Sequence, residues 1–553
     1  MYSESNKTPT FLGRTRAVRK PISSAAAILL PIVIVCSGCQ VASSDAMEQS
    51  AVNLLTPSLP ATLNPLAGFD NNGIGKINES LFTLQGDAKS LPEIVPLLAQ
   101  DEPSISADGL IWDITVRQGI KFSDGTSLDP ADVVASYRAI KDPRTASPLA
   151  GTIENLAAVE EHGPHGVRFT LHEPQVSFKT SLLVGIAPSE KIQAATPVSD
   201  SELNRHPIGT GPYVLDSFDS SSLVLSANED YRDGAPAVKK VSYTESSDDN
   251  ARTQAMAGSD YTGTILPTRL ASSFAQREGF EVVTATSADW RGISLPSNHP
   301  FTKDPGVRLA LNLAVDREQI ISGVLAGAGR PAYTFIPPEY GKYYNSKAAF
   351  KHDPTRARQI LDAAGWKAGA DGIRDKNGTR AEFSLLYNPG DTLRRDLSLA
   401  LASQLEPYGI KITVQPATFD QAEPRVGQDA IMLGGGDTPY DVDTQLYKML
   451  HSSYPKAGAY YDNPSHYADK DMDRELHTGR TSTDEKSRIR AYQKVQSLYV
   501  EDPSMLLLAF IDHSYVQQSS VHERWNTTST LLEPHEHGTA WGPWAKIGQW
   551  ANK

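Results

Sequence analysis

Cysteine is almost missing from this chain: Cys36 and Cys39 are the only two among 553 residues. Two cysteines cannot build a disulfide framework or a cysteine-rich zinc module. Positive charge is also in short supply. Lys and Arg number 52 against 65 Asp and Glu, a net charge of −13. That balance runs against nucleic-acid binding, which needs a clustered basic footprint. The sequence has no internal repeat of fixed period and no long low-complexity tract. It has no Gly-x-Ser-x-Gly nucleophile elbow. Gly75-Lys76 and Gly341-Lys342 lack the upstream Gly and following Ser or Thr of a phosphate loop. His172-Glu173, His522-Glu523 and His535-Glu536 all lack a second His four residues after the first, so no two-His zinc helix is present. A protein without catalysis is therefore expected, with a secreted hydrolase as the alternative of another class. What remains is ordinary globular usage, 39% hydrophobic and 21% charged, which argues against wholesale disorder and a polytopic membrane protein. The length suits several domains with real cores.

The N-terminal stretch differs from the rest. Arg14, Arg16, Arg19 and Lys20 precede an uncharged, largely apolar run over residues 22–35, followed by Ser37, Gly38 and Cys39. A basic cluster, a short apolar core and small residues at a cleavage site make a secretory signal. The run is shorter than the roughly 20 residues a spanning helix needs, and Pro31 interrupts it. Val35-Cys36-Ser37-Gly38-Cys39 resembles the lipobox of bacterial lipoproteins, although Cys36 stands where Leu is usual. That resemblance implies cleavage before Cys39 and a diacylglycerol on its thiol, and two acyl chains anchor a protein stably. Residues 1–38 are read as the signal and 39–50 as a tether. Five Lys/Arg and one acidic residue lie in residues 1–38, so the remainder has 47 basic and 64 acidic residues, net −17. Cys39 would then be its only cysteine, and the folded body would carry no thiol chemistry.

Along the body, helix and strand patterns alternate. Three helices are expected to open on Asp-Pro, because Asp can cap and Pro is tolerated at the first helical position. Asp129-Pro130 leads Val133, Tyr137 and Ile140 on one face. Asp304-Pro305 leads Val307, Leu311, Ala314 and Val315 and is expected to run toward Gly327. Asp353-Pro354 leads Ala357, Ile360, Leu361 and Ala364 and stops at Gly365. Strands are expected over residues 110–116, 166–172, 223–227, 280–284, 383–387 and 411–415. The Gly- and Asp-rich residues 370–378 read as a hairpin connection. Mixed α/β architecture follows.

Five stretches, in order, resemble the bacterial family 5 extracellular solute-binding proteins, the oligopeptide-, dipeptide- and nickel-binding components of ABC importers. Thr115-Val116-Arg117-Gln118-Gly119-Ile120-Lys121-Phe122-Ser123-Asp124-Gly125-Thr126 with Asp132-Val133-Val134 is the most specific. The others are Pro207-Ile208-Gly209-Thr210-Gly211-Pro212-Tyr213, residues 307–317, residues 357–366 ending in Ala-Gly-Trp, and residues 399–414. The resemblance spans essentially the whole body. It implies a periplasmic-binding-protein-like type II fold, α/β, with two lobes about a hinge plus an extra domain. Residues 51–80, 205–285 and 510–553 would form the first lobe, 81–204 the extra domain and 286–509 the second lobe. The implied partners are a peptide ligand, ABC permease subunits and the membrane through the lipid. The protein would be monomeric, without cofactor or nucleic acid, on the outer face of the cytoplasmic membrane.

Peptide-binding members of this family usually hold the ligand's amino terminus with an Asp in a segment resembling Trp-Gly-x-x-x-Asp-x-Asp. Here the segment reads Gly434-Gly435-Gly436-Asp437-Thr438-Pro439-Tyr440-Asp441-Val442-Asp443, with Gly436 in place of the Trp. Asp441 is the first choice, Asp437 the second, and Tyr440 a neighbouring contact. Trp290 and Arg291 just past the hinge are further candidates. So are Asn388 after a second-lobe strand and Gly73, before a first-lobe helix whose N–H groups could accept a carboxylate. Trp541-Gly542-Pro543-Trp544 reads as packing rather than cleft wall. His535 and His537 leave a nickel or metal-chelate binder as the alternative ligand class, but metal sites usually require at least three ligands, so no metal site is assigned.

Overall fold

A computed structural model describes residues 50–258, 260–436, 438, 440–454, 460–535 and 538–553. The Asp-Pro device works at all three sites. Asp129 caps the helix Pro130–Lys141 in a reciprocal box with Asp132. Asp304 caps Pro305–Ala314 and Asp353 caps Pro354–Ala363. The second helix is shorter than its pattern suggests. Val315 turns extended, and Asp316 caps a new helix, Arg317–Val324, by accepting from the Gln319 N–H. The restart buries the Arg317 guanidinium, which donates to the carbonyls of Asn312, Ala332 and Leu507. The 370–378 segment connects the strands of a small three-stranded sheet, Lys367–Ala368, Arg374–Lys376 and Thr379–Arg380, whose tight turn, Asn377-Gly378, has both residues at positive φ, the pair such hairpins favour.

Two large sheets form the two lobes. The first has seven strands, in spatial order Phe280–Ala285, His513–Gln518, Gly263–Leu266, Ala51–Thr56, Lys240–Glu245, Ser222–Ala227 and Tyr213–Phe218. The second has six: Gly329–Pro331, Met505–Ile511, Trp290–Ser294, Ala430–Gly435, Glu382–Tyr387 and Lys411–Pro416. Its three strands Met505–Ile511, Trp290–Ser294 and Ala430–Gly435 are buried at every residue. Alternation places Leu506 and Leu508 in a core with Leu311, Leu397 and Trp366. Leu507 and Phe510 join an aromatic core with Trp290, Phe335, Tyr492 and Tyr499. A third, four-stranded sheet, Ser104–Ile105, Ile111–Thr115, Gly166–Leu171 and Leu156–His162, carries a separate cluster around Trp112, Phe169, Phe178 and Tyr137.

The large sheets are joined where Phe280–Ala285 runs on into Trp290–Ser294 and Met505–Ile511 runs on into His513–Gln518. A third segment crosses beside them. The Ala288 N–H donates to the Glu533 carbonyl, the Glu533 N–H to the Thr286 carbonyl and the Ile511 N–H to the Asp289 carbonyl. Three short backbone segments thus form the joint, a hinge of the kind about which two lobes close.

Candidate functional site

The joint holds a buried charge network. Asp289 Oδ1 lies 2.7 Å from His535 Nδ1 and pairs with Arg291, while its Oδ2 lies 3.2 Å from His513 Nε2. On its other side His513 Nδ1 lies 2.6 Å from Glu533 Oε2, which also accepts from the Tyr515 hydroxyl at 2.8 Å. Burial alone would lower the His513 pKa. The hydrogen bonds and charges of Asp289 and Glu533 outweigh burial and push it up to about 10. Asp289 is fully buried as well, yet Arg291 and the two histidines hold its carboxyl well below the ordinary range. The interdigitated charges tie the first lobe (His513, Tyr515) to the second (Asp289, Arg291) through the third segment.

At the end of the first sheet where Ala51–Thr56 stops, a cavity of about 590 Å³ opens. Its lining comes from residues 56–76, from Leu223, Leu225 and Tyr243, and from residues 538–541 after the third crossing segment. Leu59, Phe69, Ile74, Leu223, Leu225 and Trp541 make it mostly apolar; Asp70, Lys76, Tyr243 and Thr539 add polar groups. Asp70, at positive φ, turns its Oδ2 onto the N–H groups of Lys76, Ile77 and Asn78, at 3.0, 2.9 and 3.1 Å. Burial raises its pKa against those three bonds. Lys76 Nζ donates to the Ala540 carbonyl at 3.0 Å and the Ala545 carbonyl at 3.4 Å. Burial lowers its pKa to about 8, with Asp70 opposing. The Tyr243 and Thr539 hydroxyls are buried and have no partner among the described residues.

A two-lobed frame with a mostly apolar cavity at the crossing end fits a binder. The family profile of the bacterial extracellular solute-binding proteins, family 5 Middle, matches residues 93–456. The chain belongs to this family. Family 5 proteins are the extracytoplasmic solute-binding components of ABC importers, and their fold is periplasmic-binding-protein-like, type II. Protein XP55 of Streptomyces lividans is 36% identical over 477 residues, 86% of this chain and 85% of that protein. The oligopeptide-binding protein AppA of Bacillus subtilis is 27% identical over 87% of this chain and 91% of its own. The solved structure of NikZ from Campylobacter jejuni in complex with Ni(L-His) superposes with a TM-score of 0.79, at 25% identity, covering 91% of this chain and 99% of that one.

Against this family 5 frame the candidate residues fall in different places. Asp441 is not a free carboxylate. It caps the helix Val442–Leu450 and accepts from Arg488 Nη2 at 3.1 and 3.2 Å. Tyr440 is buried and packs with the extra-domain cluster. Trp290 is buried edge-on against Phe335, 5.2 Å between ring centres. Arg291 is buried in the joint network. Asn388 accepts from the Gly390 N–H and belongs to the turn that leads to Asp391, the cap of the helix Thr392–Leu405. Gly73, at positive φ, leads into no helix: the chain continues irregularly to the strand Phe82–Gln85. The N–H groups expected to take a ligand carboxylate are already held by Asp70. Trp544 is packing, edge-on to Tyr515, but Trp541 lines the cavity. Cys39, Asp437 and His537 lie outside the described residues. Among the described residues no group of three His, Cys, Asp or Glu could hold a metal, and no helix is long and apolar enough to cross a membrane.

The sequence reading missed Asp289, His513 and Glu533, and it missed Asp70, Lys76, Tyr243 and Thr539. Asp70 carried a usable signal, since an Asp in a Gly- and Asn-rich stretch commonly binds nearby backbone N–H groups. The others meet only through the tertiary fold.

Proposed function

We propose that the protein is a lipid-anchored, monomeric binder that captures peptides between its lobes and delivers them to an ABC permease. The observation that carries this reading is the likeness to the oligopeptide-binding AppA over 87% of the chain. The three-segment joint supports it, because such a joint lets two lobes shut on a ligand. Residues 1–38 act as the signal and Cys39 carries the lipid. The lipid keeps the binder near its permease and raises its effective concentration there. We place lobe boundaries near residues 80, 205, 286 and 510. With Asp441 engaged by Arg488, Asp437 becomes the first choice for the ligand's amino group. A nickel chelate is the second reading, favoured by the likeness to NikZ, with the chelator supplying most of the metal ligands.

Protein stripped of co-purifying ligand should gain several degrees in Tm with short peptides, because ligand binding stabilises the native state by mass action. No shift with any peptide, together with a shift on adding nickel and histidine, would replace the peptide reading with the nickel one. Cys39→Ser should move the protein from the membrane to the soluble fraction.

A further inference from the structure

We propose that the first-lobe cavity recognises a carboxylate carried on an apolar or aromatic body, through the Lys76 ammonium and the Tyr243 and Thr539 hydroxyls. The proposal rests on the cavity alone and does not require the lobes to close on a peptide. About 590 Å³ is the size of a small-molecule site. Its mostly apolar wall rewards an apolar body at about 25 cal/mol per Å² removed from water. The polar groups decide the remainder. Tyr243 is 6% exposed and Thr539 1%, and each leaves a hydroxyl without a protein partner. An unmade buried hydrogen bond is costly, so a small side-chain shift that turns either hydroxyl onto a ligand acceptor recovers that cost.

Lys76 sets the sign of the ligand's charge. An ammonium has three donors. Two go to the Ala540 and Ala545 carbonyls, which are neutral. No carboxylate lies within ion-pair distance of Nζ among the described residues. Asp70, whose charge acts on it, spends one oxygen on three backbone N–H groups. A buried cation whose hydrogen bonds go to carbonyls, with Asp70 acting only through space, has no hydrogen-bonded counter-ion, and a ligand carboxylate supplies one. Burial has already lowered the lysine pKa to about 8. A carboxylate arriving beside it raises that pKa again, so binding near pH 8 takes up a proton.

Calorimetric titrations with 3-phenylpropanoate and with 3-phenylpropanamide test the proposal. The acid should bind at least tenfold more tightly than the amide. At pH 8 its apparent heat should vary with buffer ionisation enthalpy in the sense of proton uptake. Tyr243→Phe and Thr539→Val remove groups with no protein partner, so both variants should keep their Tm while losing several-fold in affinity for the acid. Lys76→Met should erase the acid-amide difference; should that variant fail to fold, the two hydroxyl variants and the proton uptake still decide. Equal binding of acid and amide, no binding of either, or wild-type affinity in both hydroxyl variants would overturn the proposal. Gly-Gly-Phe and its C-terminal amide distinguish the sources. The same acid preference in this pair assigns the cavity to a peptide's C-terminal end, and a preference confined to 3-phenylpropanoate assigns it to free acids. Acid binding indifferent to Tyr243 and Thr539, with peptide binding intact, would remove this inference and leave the peptide reading standing. Acid binding without peptide binding would do the reverse.

Discussion

Two carboxylates grip one imidazole at His513, and the pH dependence of stability follows. Its folded pKa of about 10 exceeds the unfolded value near 6.5. The stabilisation is therefore complete below pH 6.5 and is lost as pH rises through about 10. Removing one partner of a buried charge network typically costs ~3–5 kcal/mol. His513→Gln should lose about that much at pH 6 in a urea titration, and the gap to wild type should narrow at pH 8 and close further at pH 10. A gap independent of pH would mean the buried imidazole is neutral. Little of this network was legible beforehand. Arg291 and His535 stood out in the sequence, but Asp289 and His513 are 224 residues apart, and no local pattern links them. Asp441 shows the opposite problem. Its motif was visible, yet the partner that engages it, Arg488, lies 47 residues on.

At the scale of elements, local chemistry was the readable part. The Asp-Pro caps are satisfied within four residues of themselves, and all three appear. The break at Val315–Asp316 was readable in principle, because an Asp with Gln three residues later is a helix-start signal; the longer apolar pattern masked it. Close approaches between elements left weaker traces. Gly479 sits in the helix Lys470–Thr481, packed on the helix Glu485–Glu501, and a Cβ there would come within 2.5 Å of the Tyr492 ring. Alanine gains about 1 kcal/mol over glycine in a helix, whereas overpacking costs ~1–3 kcal/mol. Gly479→Ala should therefore lose about 1 kcal/mol in chemical denaturation. Gly323→Ala, in the helix Arg317–Val324 with open space around the position, should gain about 1 kcal/mol. If both substitutions stabilise, the two helices have room to part.

For the molecule as a whole, the family-like motifs made the two-lobed plan readable, because each is a turn or helix end whose shape depends on neighbours in sequence. The contacts that hold the lobes together carry no such trace, since each joins segments far apart in the chain. Among the described residues the extra domain and second lobe meet at several polar points, including the Leu91 N–H on the Glu339 carbonyl at 3.0 Å and the Lys448–Glu154 ion pair. Ser177 Oγ donates to Asp443 Oδ2 at 2.6 Å, the Tyr454 hydroxyl to Glu154 at 2.6 Å, and Lys448 Nζ to the Gly151 carbonyl at 3.3 Å. Asp443 is buried and also accepts from Arg480 and Tyr492, both of the second lobe. Opening the lobes would cost it only the Ser177 bond, so that bond acts on the balance between states rather than on the second lobe itself. A hydrogen bond to a charged group contributes about 1.5–3 kcal/mol, and 1.4 kcal/mol is about tenfold in an equilibrium. Ser177→Ala should lower the closed-to-open ratio about tenfold or more. Ligand affinity should fall with the binding-competent fraction. Small-angle scattering should show a larger radius of gyration for the ligand-free variant than for wild type, and saturating ligand should restore it. An unchanged radius and affinity would mean that Ser177 and Asp443 stay in contact in both states, and that closure is set at the three-segment joint.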